Sequence, residues 1–236
     1  MKSNGLRRIP RTKALLALMA PMVLAIGVGG VTRSLAAGEF KLPMHFSGLL
    51  NDYTPTSATV AGSPYEMHGK WSLSLSEQPG AATFSAEMTM ETADFANADP
   101  SDPANLGPHT HHISVTDGVI HNDPTDPINW KTACPTLKPP VAGGFVVTGT
   151  AYVTGNGGNP PFGNPSSVTI CVLGGMENPS IAGTQAFVQF SNFTLTFAAG
   201  SHASTHFGSQ AINGVVVACE SPFSPGSNDC KMEVVE

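Results

Sequence analysis

The sequence predicts an all-β fold, a single-domain antiparallel sandwich or barrel of about nine strands behind a cleaved N-terminal leader. Three observations predict it. Several segments alternate apolar and polar residues with a period of two. Others are short runs rich in Val, Thr, Phe and Tyr. Twenty prolines and 25 glycines break the chain often enough to leave room only for single helical turns.

The leader comes first. Lys2, Arg7, Arg8, Arg11 and Lys13 precede an apolar run over residues 14–31, and Ser34-Leu35-Ala36-Ala37 then offers small residues suited to cleavage. This divides the chain into a secretory signal peptide over 1–37, with a retained anchor as the alternative, and an all-β domain over 38–236. Within that domain Trp71-Ser72-Leu73-Ser74-Leu75-Ser76 alternates strictly. Phe84, Ala86, Met88 and Met90 share one face, and Ser85, Glu87, Thr89 and Glu91 the other. Residues 144–154, 167–173 and 211–219 read as further strands. Over residues 184–198 the apolar face changes parity: Ala186, Val188 and Phe190 are even, whereas Phe193, Leu195 and Phe197 are odd. One flat strand cannot bury both sets, so a bulge or bend is expected near Ser191-Asn192.

Charge narrows the partners. All four arginines precede residue 38. From there on five lysines stand against all seventeen acidic residues, a net charge of −12 with neutral histidine. A domain without arginine lacks the bidentate clamp for phosphate, and its field repels nucleic acid and anionic membranes while attracting cations. No segment beyond the leader is long and apolar enough to span a bilayer, so the mature domain is not expected to be membrane-embedded. The four cysteines, Cys134, Cys171, Cys219 and Cys230, form an even set without C-x-x-C spacing. In an exported chain they suggest two disulfides, Cys134–Cys171 and Cys219–Cys230 being the favoured of three pairings. The expected location is periplasmic, extracellular or at the cell surface.

The chemistry concentrates around one histidine cluster. Asp99-Pro100-Ser101-Asp102-Pro103-Ala104-Asn105 recurs as Asp123-Pro124-Thr125-Asp126-Pro127-Ile128-Asn129, and His109, His111, His112 and His121 lie between the copies. Asp117-Gly118 carries the signature of a two-residue hairpin turn. A reversal there sets Ser114 opposite His121 and His112 opposite Asp123. His112, Ser114 and His121 then share one face. His109, His111, Ile113, Val115 and Ile120 share the other, core-facing one. His112 and His121 would meet diagonally on one ion, supported by Asp123, and the His-x-His pair His109/His111 could chelate from the opposite face. The expected ion is copper or zinc.

Secondary candidates are weaker. Asp99, Asp102 and Asp126 offer hard oxygens suited to calcium, yet Asp-Pro-x-Asp also serves as a turn and helix-capping sequence. His202 and His206, four apart between glycines, would adjoin on one helical turn, although a surface loop explains them too. Met44-His45 and Met67-His68 place a thioether beside an imidazole, but strand neighbours point to opposite faces, so each pair reads as a core Met and a solvent His. Met88 and Met90 are explained by core packing.

Three functions fit these features. The first is an exported, disulfide-stabilised protein that binds a transition metal through its histidine-rich hairpin, with metal-dependent catalysis as an extension. The second is a non-catalytic surface module for a protein or glycan partner. The third is a barrel-type small-molecule enzyme using histidine acid–base chemistry.

Overall fold

The computed structural model describes residues 43–54, 65–76, 81–92, 108–123, 125–136, 143–155, 165–177, 187–220 and 231–233. All belong to the unit spanning Leu35–Glu236. The expected leader and the first Asp-Pro loop, with Asp99 and Asp102, lie outside the described residues.

The alternating segments form strands, and the strands close on themselves. β1 (Met44–Tyr53), β2 (Tyr65–Leu75), β3 (Ala81–Thr92), β4 (His109–His121), β5 (Gly143–Thr154), β6 (Ser166–Glu177), β7 (Phe187–Phe197) and β8 (Ile212–Glu220) follow one another around an antiparallel meander. β8 pairs back with β1 from Glu220↔His45 to Gly214↔Leu50, so the sheet is an eight-stranded barrel rather than a sandwich. A short ninth strand, β9 (Lys231–Glu233), pairs with Phe187–Gln189 at the start of β7. Two single-turn helices interrupt the meander: α1 (Trp130–Ala133) between β4 and β5, and α2 (His202–Phe207) between β7 and β8.

Inward positions fill the barrel in layers. Phe46, Phe145 and Phe190 pack with ring centroids 5.4–5.7 Å apart. Trp71 stacks on Phe193 at 4.1 Å, with Phe84 on the same ring at 5.7 Å. Nearer the end where β4 begins lie Tyr65, Met67, Met88 and Met90, all at most 1% exposed. As the alternation requires, Met67 is buried while His68 is exposed beside Glu91.

The parity change in β7 is a bulge, as expected. Leu173 pairs with Asn192 and Gly174 with Phe190, which leaves Ser191 as the extra residue, and Val188, Phe190, Phe193, Leu195 and Phe197 are all buried. The disulfide Cys134–Cys171 forms and ties the end of α1 to β6, where Trp130 and Cys134 pack over Val146, Cys171 and Leu173. Cys219 is also disulfide-bonded. Its expected partner, Cys230, lies outside the described residues.

The hairpin at Asp117-Gly118 does not form. β4 runs through it, pairing with β3 as far as Val119 and with β5 as far as His121. Both ladders lose register there: Val115 pairs with Ala151 but Val119 with Thr148, so β4 carries one extra residue. The dipeptide is a bulge. The Asp117 carboxylate accepts a hydrogen bond from the Thr150 backbone N–H at 2.8 Å, a donor near the break in the ladder. That bond, with the Thr150 side chain, holds the Asp117 carboxyl below its ordinary range. Gly118 is required for space: a Cβ there would lie 2.6 Å from the Ala82 carbonyl oxygen and 3.0 Å from Val147 Cγ1.

Two glycine substitutions should therefore have opposite signs. Gly118→Ala should lower the urea midpoint, costing about 1–3 kcal/mol by overpacking. Gly175→Ala has open space at its Cβ, and should be neutral or stabilising by up to about 1 kcal/mol through the unfolded state. Equal tolerance at both positions would contradict the bulge.

Candidate metal centre

Continuity of β4 decides which histidines meet. Before the bulge, odd positions face inward. His109 is 8% exposed and His111 3%, while Ile113 and Val115 are buried below them. The two imidazoles stand two residues apart on one inner face, and their ring centroids are 4.8 Å apart.

The third comes from α2. Ser201 is its N-cap, its hydroxyl accepting from the Ser204 backbone N–H at 3.0 Å, and Gly208 ends the turn at a positive φ of 93°. Ala203 and Phe207, four apart, pin the turn into the barrel end, Phe207 stacking on Phe197 at 5.2 Å and meeting His111 edge-on at 5.0 Å. His206 is thereby carried over the two β4 imidazoles. Its Nε2 lies 3.0 Å from Nε2 of His111 and 3.3 Å from Nε2 of His109. The ligand atoms of all three lie within 4.8 Å of one another, and among the described residues no Asp, Glu or Cys joins them. Tyr65 closes the side of the site, edge-on to His109 at 5.7 Å, with burial raising its phenol above the ordinary range.

The 3.0 and 3.3 Å separations suit coordination. Four ligands about 2.0–2.1 Å from a metal sit about 3.3–3.4 Å apart along the edges of a tetrahedron. Two of the rings, His111 and His206, are also in the ligating form. Burial first, then the neighbouring imidazoles of His206 and His109, push His111 down to about 3, although a hydrogen bond to the Thr154 backbone pulls the other way. Burial and then His109 push His206 down to about 4. Both are neutral at physiological pH.

The other expected ligands are placed elsewhere. His112 is exposed on the outer wall, opposite Glu87. His121 sits at the far end of β4, roughly 30 Å of strand from His111. There its Nδ1 lies 2.9 Å from Asp126 Oδ2 and its Nε2 2.9 Å from the Thr148 hydroxyl. The diagonal His112/His121 pair is therefore corrected: both depended on the hairpin that became a bulge. Of the two acidic loops only the second, which follows His121, lies among the described residues. In the second loop Asp123 accepts from the backbone N–H and hydroxyl of Thr125, and Asp126 from the Ile128 N–H. The Thr125 hydroxyl and then its N–H hold the Asp123 carboxyl low, and His121 and then the Ile128 N–H hold that of Asp126 low. Asn129 caps α1 through the Lys131 N–H. This second copy thus works as turns and a cap. His202 is exposed, so of the α2 pair His206 alone joins the cluster.

Comparison with known protein families, curated proteins and solved structures returns no match for this chain.

The low values of His111 and His206 make stability pH-dependent. The unfolded chain takes up protons near the ordinary value of 6.5, whereas the folded state resists until about 4 and 3. Stability of chelator-treated protein should be steady above pH 6.5. It should fall as pH drops from 6.5 towards 4, by up to about 1.4 kcal/mol per unit for each of the two histidines. Urea titrations across this range check it; a flat profile would contradict burial of neutral rings.

Proposed function

We propose that this chain is an exported, disulfide-stabilised β-barrel that binds one transition-metal ion through His109, His111 and His206. The observation that carries the reading is the convergence of three Nε2 atoms, two of their separations being 3.0 and 3.3 Å, inside the end of a packed barrel. Imidazoles that converge on one point can each turn a ring nitrogen to a shared cation. Nitrogen donors suit copper or zinc and not calcium, which takes oxygen ligands. The cationic leader pattern and the Cys134–Cys171 disulfide support export. Among the described residues no helix is long and apolar enough to cross a membrane. His206 is only partly buried, so the ion has a route in past α2.

Elemental analysis of the untagged full chain, after metal loading and dialysis, tests this. About one ion per chain is expected, and His109→Ala, His111→Ala and His206→Ala should each weaken binding by about tenfold or more, as loss of a ligand does. His112→Ala and His121→Ala should retain the ion. Absence of metal in the loaded parent chain, or equal loss in the His112 and His121 variants, would overturn the assignment.

A further inference from the structure

Resting on that reading, we infer that the ion is monovalent copper and that a methionine thioether from β3 completes its coordination. The first support is register. Met88 stands directly opposite His111, and Met90 directly opposite His109, in the β3–β4 ladder. Met67 on β2 is opposite Met90 in turn. All three methionines are on the inner face and at most 1% exposed. Side chains paired directly across a ladder have Cβ atoms about 4.5–5.5 Å apart, within the reach of a three-bond thioether. Each of the two β4 imidazoles therefore has a sulfur ligand as its nearest inward neighbour on β3. Packing alone asks only for an apolar side chain at 88 and 90, and Leu or Ile would answer it.

The second support is donor type. The cluster offers three imidazole nitrogens, and around it lie Tyr65, Phe197 and Phe207, all at most 1% exposed. Imidazole with thioether is the soft mixture that Cu⁺ prefers. A barrel end with an imidazole on a partly buried turn over soft ligands suits holding and passing on cuprous ions more than activating water.

The test is a competition titration of the full chain. Cu⁺ is supplied anaerobically as its acetonitrile complex, which leaves the disulfides intact, against a chromogenic Cu⁺ chelator, and Zn²⁺ is titrated in parallel against a zinc chelator. Cu⁺ should bind about a hundredfold tighter than Zn²⁺ or better. The double variant Met88→Leu, Met90→Leu should weaken Cu⁺ by about tenfold or more while changing Zn²⁺ by no more than about twofold. Leu conserves volume, so the fold should persist. X-ray absorption of the Cu⁺-loaded parent chain gives a second readout independent of any variant: a sulfur scatterer in the first coordination shell. Zinc binding as tightly as copper, equal losses of both ions in the double variant, or a shell of nitrogen alone would each overturn the inference. His206→Ala separates the two levels. Binding that depends on His206 but ignores the methionines leaves the three-histidine site standing and removes the copper assignment, whereas binding indifferent to His206 removes both.

Discussion

Closure of the sheet through the β1–β8 ladder imposes one common interior on every strand. An open sheet could leave the inward row of β4 half wetted. A closed barrel cannot, and His109 and His111 are drawn inside with Ile113 and Val115. Burial disfavours the charged form of an imidazole and asks for partners at its ring nitrogens. The barrel end supplies a third imidazole from α2, held by the capping hydroxyl of Ser201 and the Phe207–Phe197 stack. The proposed centre is thus a consequence of burial more than of any local sequence motif.

The bulge in β4 completes the geometry. It adds one residue at Asp117-Gly118, so the strand can serve an odd-numbered inner face above it and bury Gly118 below it. Below the break His121 turns away from the interior and binds Asp126 and Thr148. The same strand therefore separates two kinds of histidine: a pair at one end grouped with a third imidazole, and one at the other end fixed by a carboxylate. Only the first kind keeps its ring nitrogens directed at each other.

Much of the architecture was legible in the residues. Strict alternation placed Leu73, Phe84, Met88 and Met90 inside, and the parity break located the irregularity at Ser191, because an unbroken two-residue period cannot bury both Phe190 and Phe193. Periodicity could not separate barrel from sandwich, since it reports which face is buried and not what covers it. Asp-Gly misled because a type I′ turn and a bulge both favour a short acceptor followed by glycine. What decides between them is the neighbouring strands, here the Ala82 carbonyl and the Thr150 N–H, which lie far away in sequence. His109 and His111 were found through their spacing. His206 was named only as a secondary candidate, for its contact with them spans nearly a hundred residues. Its local signal was the capped turn itself: Ser201 three before Ser204, Ala203 and Phe207 four apart, and Gly208 at the end.

The central claim is that one ion sits among three specific imidazoles. Anomalous diffraction from crystals of the copper-loaded full chain, with data on both sides of the copper edge, tests this most directly. The account predicts one strong peak per chain within bonding distance of Nε2 of His109, His111 and His206. A peak instead beside His121 and Asp126 or His112, or none at the barrel end despite full occupancy in solution, would contradict it.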